Sequence, residues 1–252
     1  MVLDVISLLM ILANSLAAIL NFGTSIFFIK RIREKKLQAD ILVFGISLIG
    51  GTYFLLNAVN YLLLSNITQI PLLSNLLMVI TLIIPSFVII MLGLLLKTAF
   101  RPTSENATAL TYFITIVSAA TIGILILSLD TTTIQWVNGP VLIYERLFFV
   151  GFMIVALLIP TIWFLYEMVN ASNYLRKRLK EANRRSPDLL RLNFLLLSAL
   201  ILPLVLLFPM LPNTISFPVL LQRNLSIIVI PVFGLVWALG WVMPNFLRKR
   251  YS

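Results

Sequence analysis

"NYLRKRLKEANRRSPDLLR", Asn173–Arg191, carries seven Lys or Arg residues and two acids. It separates two long apolar runs, Leu142–Val169 and Leu189–Met210. In a soluble protein such a cluster points to a nucleic-acid patch. That reading needs aromatic or base-reading groups interleaved with the charges, and the flanking runs point elsewhere. Leu165, Met168, Ser172, Leu175, Leu179 and Ala182 follow a 3-4-3-4-3 spacing, which places them on one helical face. The spacing predicts that the helix before the cluster continues into water by two or three turns. Ser186-Pro187-Asp188 then reads as a helix start. Serine caps, proline fits the first turn, and aspartate suits the positive helix end.

The whole chain explains the flanks. Of 252 residues, 60% are hydrophobic and only 11% charged, with a mean hydropathy of +1.05. A soluble domain is about 45–50% apolar and about 25% charged. A water-facing surface cannot be built from so few polar side chains. A bilayer-facing one can. Crossing about 30 Å of hydrocarbon takes roughly 20 mostly apolar residues. Seven segments qualify, at about 3–29, 41–64, 72–96, 107–129, 142–169, 189–210 and 225–243. The alternation of a membrane barrel is absent, as is any internal repeat. The reading is an all-α integral membrane protein, one domain over 1–252, built as a seven-transmembrane-helix bundle.

Charge orients it. Lys30, Arg31, Arg33, Lys35 and Lys36 follow span one; Lys97 and Arg101 follow span three. The quoted cluster follows span five, and Arg248, Lys249 and Arg250 follow span seven. Seventeen of the 19 basic residues thus share one side, leaving Arg146 and Arg223 on the other. Cytoplasmic loops carry the Lys/Arg excess. The N-terminus is expected outside and the C-terminus in the cytoplasm. The net charge of +10 then reads as a topology signal and an attraction to anionic lipid headgroups, and not as a nucleic-acid footprint.

With no histidine and no cysteine, the sequence excludes His-ligated haem, iron–sulfur clusters and thiolate chemistry. No cofactor, metal site or catalytic residue is expected, and an enzyme is disfavoured. The intramembrane polar groups are mostly uncharged. Asn14 and Asn21 share a face of span one, and Asn57 and Asn60 a face of span two. Asn14 and Asn57 lie at similar depth and could bond across that helix pair. Thr108, Thr111, Thr115 and Ser118 form a hydroxyl stripe on span four. Such groups serve helix packing or line a small polar pocket. Pro85, Pro160, Pro203 and Pro231 fall inside spans and can kink them. Asp40 and Glu167 sit near the inner boundary. Glu167 could pair with a Lys or Arg in the next turns, the alternative being a proton-handling role.

In architecture, and locally in "NGPVLIYERLFFVGFMIVALL" (Asn138–Leu158) and "LRLNFLLLSALILPLVLLFPMLP" (Leu190–Pro212), the chain resembles the seven-helix membrane input module of bacterial and archaeal sensor histidine kinases. It departs from them at "NFLRKRYS", where those modules continue into an output domain. The resemblance implies a sensor or signal-coupling bundle in a prokaryotic plasma membrane, acting through a membrane or cytoplasmic protein partner. Arg176, Lys177, Arg178, Lys180, Arg184 and Arg185 are the surface offered to that partner or to lipid. Two alternatives stay open: an accessory or anchoring subunit of a larger membrane complex, for example respiratory, and a transporter or lipid-handling protein.

Overall fold

The computed structural model describes residues 5–67, 71–127, 133–136, 140–143, 147–181, 187–207 and 219–243. Among the described residues there are seven α-helices. They are α1 (Val5–Lys35), α2 (Gln38–Ile67), α3 (Pro71–Phe100), α4 (Glu105–Leu127), α5 (Leu147–Glu181), α6 (Pro187–Leu207) and α7 (Val219–Trp241). Among the described residues six helices, α1 to α4, α6 and α7, are long and apolar enough to cross a membrane. This is the length and composition of a helical integral membrane protein.

Local chemistry sets the helix ends. Lys36 takes φ 50°, the left-handed cap conformation, and its N–H donates to the Ile32 carbonyl at 3.0 Å. This stops α1 and lets α2 start two residues on. Ser104 accepts the Ala107 N–H on its hydroxyl and so caps α4. Pro187 is the first residue of α6, with Asp188 in its first turn, as the Ser-Pro-Asp signal predicts. The helix before the basic stretch does continue, to Glu181.

The helices close into a ring. Chain neighbours pack along α1–α2–α3 and α5–α6–α7, α3 meets α5, and α7 returns to α1; α4 lies outside, against α3 and α5. α1 enters this ring through a stripe of small and polar residues: Ser7, Ala13, Asn14, Ala17, Ala18, Asn21, Thr24 and Ser25 are all buried. Small side chains let backbones approach. A Cβ on Gly234 of α7 would lie 3.1 Å from Ala17 Cα, so only glycine fits there without a shift. Leu8, Leu12, Leu16, Ile19 and Ile26 face away from the ring, exposed. Helix α1 is thus small and polar inward and apolar outward, which suits a hydrocarbon solvent.

The chain between α4 and α5 differs from expectation. Span five was placed from Leu142, but α5 begins at Leu147, and a β-hairpin precedes it. Strand β1 (Thr133–Trp136) pairs antiparallel with β2 (Pro140–Ile143), Thr133 opposite Ile143 and Trp136 opposite Pro140. The signal was present: Asn138-Gly139 between β-branched stretches favours a hairpin. The apolar residues of β2 read instead as a continuation of the span. The hairpin rests against α2 and α3.

Candidate functional site

An apolar cavity lies on the ring's axis, between α1, α2, α3, α6 and α7. Asn21, Gly50, Tyr53, Phe54, Phe233 and Trp237 are among its walls, with Pro85 and Leu202. It is a small cavity, ≈ 30 Å³ of space open to a water-sized sphere, and it is open on one side. Phe233 and Trp237 stack with ring centroids 6.1 Å apart, Phe54 lies 6.2 Å from Phe233, and Phe164 6.4 Å from Trp237. Trp237 Nε1 donates to Ser47 Oγ at 3.0 Å, which ties α7 to α2 beside α1. Both residues are buried, so the indole N–H has its partner where water cannot supply one.

One end of the ring gathers the charges. Arg31 pairs with buried Asp40 at 3.0 Å and lies over the Phe28 ring, which closes the α1–α2 turn. Glu167 of α5, 5% exposed, accepts Arg101 Nε at 2.9 Å and Trp163 Nε1 at 3.2 Å on one oxygen. The hydrogen bond to this carboxylate, and then its charge, hold the Arg101 guanidinium above its ordinary pKa. The pair pins the α3–α4 turn to α5. Glu167 thus pairs with Arg101 across the bundle, and not with a Lys or Arg of the next turns as its position in the sequence suggests. Its partner lies 66 residues earlier, because the helix directs its side chain inward towards α3. Arg191 of α6 donates to the Gly240 and Trp241 carbonyls at 3.3 and 3.2 Å. It thereby satisfies acceptors that the end of α7 leaves open.

Beyond Glu167, Met168 and Ser172 stay buried while Tyr174, Arg176, Lys177 and Arg178 are exposed. Arg178 stacks over Tyr174 with 4.9 Å to the ring centroid, and Arg176 bonds the Asn193 amide oxygen of α6 at 3.2 Å. The basic face is thus carried on a helix seated against its neighbour. Lys180 lies on the same helix; Arg184 and Arg185 lie outside the described residues, as do Asp4, Asp130, Glu145 and Arg146.

The uncharged groups separate into two kinds. Asn14, Asn21 and Asn57 each donate to the carbonyl four residues back, at 2.8, 2.9 and 3.0 Å. The expected Asn14–Asn57 bond is not formed; each amide turns to its own helix, where an acceptor is always in reach. Asn60 does reach across, donating to Thr81 of α3 at 2.8 Å. Thr108, Thr111 and Thr115 also bond back along α4, and Ser118 is fully buried. Thr111 is buried like Ser118, Thr108 and Thr115 are half-buried, and none of the four lines the cavity. Of the eight polar candidates only Asn21 does. Pro85, Pro160, Pro203 and Pro231 all sit within helices, and only Pro85 lines the cavity.

Arg223, expected on the outer side just before span seven, lies near the start of α7, which begins at Val219; it is 4% exposed and donates to Tyr61 of α2 at 2.8 Å. No sequence signal announces that contact or the Arg101, Asp40 and Arg191 contacts. The charges were visible, but their partners depend on which helices meet. Among the described residues no cluster of metal-ligating side chains occurs. Comparison with protein-family models, with curated proteins and with solved structures yields no match.

Proposed function

We propose that this protein is a non-catalytic signal-coupling bundle of seven membrane spans, N-terminus outside and C-terminus cytoplasmic, that acts through a partner at the basic end of α5. The observation that carries the reading is the length and seating of that helix. Its 35 residues extend about 52 Å at 1.5 Å per residue, beyond a bilayer of about 40–45 Å with headgroups. The part that outreaches the membrane presents Tyr174, Arg176, Lys177 and Arg178. It stays joined to the bundle through Ser172 and the Arg176–Asn193 bond. A displacement of the ring helices would reach that face without an intervening linker.

The basic residues at the same end of the ring support the orientation, and an anionic partner surface or anionic headgroups match their charge. The resemblance to histidine-kinase input modules supports the same reading, in a prokaryotic plasma membrane. An accessory subunit of a larger complex would be held by the apolar outer wall; the exposed basic face favours a partner in the cytoplasm. The test is purification in mild detergent of the wild type and of the triple variant Arg176→Glu/Lys177→Glu/Arg178→Glu. The reading expects a stoichiometric partner lost from the variant while membrane insertion and monodispersity persist. A partner retained undiminished by the variant overturns it.

A further inference from the structure

We propose that the axial cavity binds a small planar aromatic molecule carrying one hydroxyl or N–H donor, with Asn21 as its polar anchor. The walls define the ligand's body. Tyr53, Phe54, Phe233 and Trp237 present ring faces and edges, and aliphatic side chains fill the gaps. Aromatic side chains pair with a flat ring in offset or edge-to-face geometry.

Asn21 defines the ligand's polar group. It is 2% exposed and lines the cavity. Its Nδ2 is committed to the Ala17 carbonyl at 2.9 Å, which orients the amide. Its Oδ1 accepts no hydrogen bond among the described residues and lies against Gly50: a Cβ added there would sit 3.4 Å from it. The missing side chain at Gly50 is what leaves this oxygen open to the cavity.

Water is a poor occupant, since a buried water needs two to four polar partners; of the polar lining side chains Tyr53 bonds Asn57 and Trp237 bonds Ser47, which leaves Asn21. A lipid tail would fill the space but leave the oxygen unpaired. A ring with a single donor satisfies both requirements. If the bundle couples signals, this site is its input. In that respect the inference rests on the reading above, while the binding itself does not.

The test uses the purified full chain in detergent, with p-cresol and toluene as probes that differ by one hydroxyl. Binding is followed by tryptophan fluorescence and calorimetry against the variant Gly50→Leu, which fills the cavity and measures uptake by micelles alone. The inference expects saturable binding of p-cresol to the wild type. It expects binding about three- to tenfold tighter than that of toluene, one net hydrogen bond's worth. Asn21→Leu should erase the difference between the probes. Gly50→Ala, whose methyl meets Asn21 only at ordinary contact distance, keeps the fold and weakens binding. No saturable p-cresol binding by the wild type, or equal binding by Gly50→Leu, overturns the site. Equal affinity for both probes overturns the role of Asn21 and points to an alkyl tail as the occupant. Loss of the partner from the α5 variant leaves these outcomes unchanged, so the two readings fail separately.

Discussion

The Ser47–Trp237 hydrogen bond tests whether α2 and α7, the two neighbours of α1, meet inside the ring. Ser47 is fully buried and Trp237 nearly so, with 3.0 Å between donor and acceptor. Removing the acceptor with Ser47→Ala strands the indole N–H among Phe233, Phe164 and the cavity. In a water-soluble core that would cost about 1–3 kcal/mol. In a membrane the unfolded reference also finds partners, and measured interhelical bonds average about 0.6 and reach about 1.7 kcal/mol. We expect Ser47→Ala to cost about 1 kcal/mol, within that range. Trp237→Phe costs more, since it also removes ring volume from a packed site. The double variant separates these terms. Its coupling energy should fall at about 0.6–1.7 kcal/mol, measured by reversible unfolding in mixed micelles with circular dichroism. Strict additivity of the two substitutions would refute the bond, and with it the approach of α7 to α2 on the inner side of α1.

Other substitutions probe other contacts. Gly234→Val forces atoms against the Ala17 backbone and should cost about 1–3 kcal/mol in the same unfolding assay. Gly234→Ala should cost less, because alanine recovers about 1 kcal/mol of helix propensity. A neutral valine variant would mean that α1 and α7 do not touch there. Arg101→Glu should lower the thermal midpoint by setting two carboxylates together, and adding Glu167→Arg should restore part of it. Because Glu167 raises the Arg101 pKa, the arginine side of this pair is fully charged below arginine's ordinary pKa. Its contribution is lost only as pH rises through the higher folded value, so it should not vary from neutral to moderately alkaline pH. Arg191→Ala frees the Gly240 and Trp241 carbonyls and should cost about 0.5–1.5 kcal/mol; amide exchange in the last turn of α7 should rise accordingly. Unchanged exchange there would remove the cap from the account.

How much of this was legible in the sequence follows from the range of each signal. Hydropathy and helix-end chemistry are local, so the apolar segments, the Pro187 start of α6 and the extension of α5 could be read directly. The Asn138-Gly139 hairpin is local too. It was missed because apolar Val141–Ile143 looks like either a strand or the head of a span. Periodicity correctly put Asn14 and Asn21 on one face but could not say what they bond. In an apolar setting the nearest acceptor is the helix's own carbonyl, and only Asn60 found a neighbour. The ion pairs Arg31–Asp40 and Arg101–Glu167 show the same limit at different distances. The first spans one turn between helices, and the second needs α3 and α5 to meet. The cavity was illegible because it arises from Gly50, Pro85, Leu202 and Phe233 together. No window of sequence contains them.

The central claim is the seven-span arrangement with its basic end in the cytoplasm, and the chain's own composition makes it testable. It has no cysteine, so single substitutions report cleanly. Asn138→Cys and Asn213→Cys should react with an impermeant maleimide in intact cells. Ser104→Cys, Ser186→Cys and Ser252→Cys should react only after the membrane is opened. Labelling of Ser186→Cys in intact cells, or protection of Asn138→Cys, would contradict the orientation and the function drawn from it.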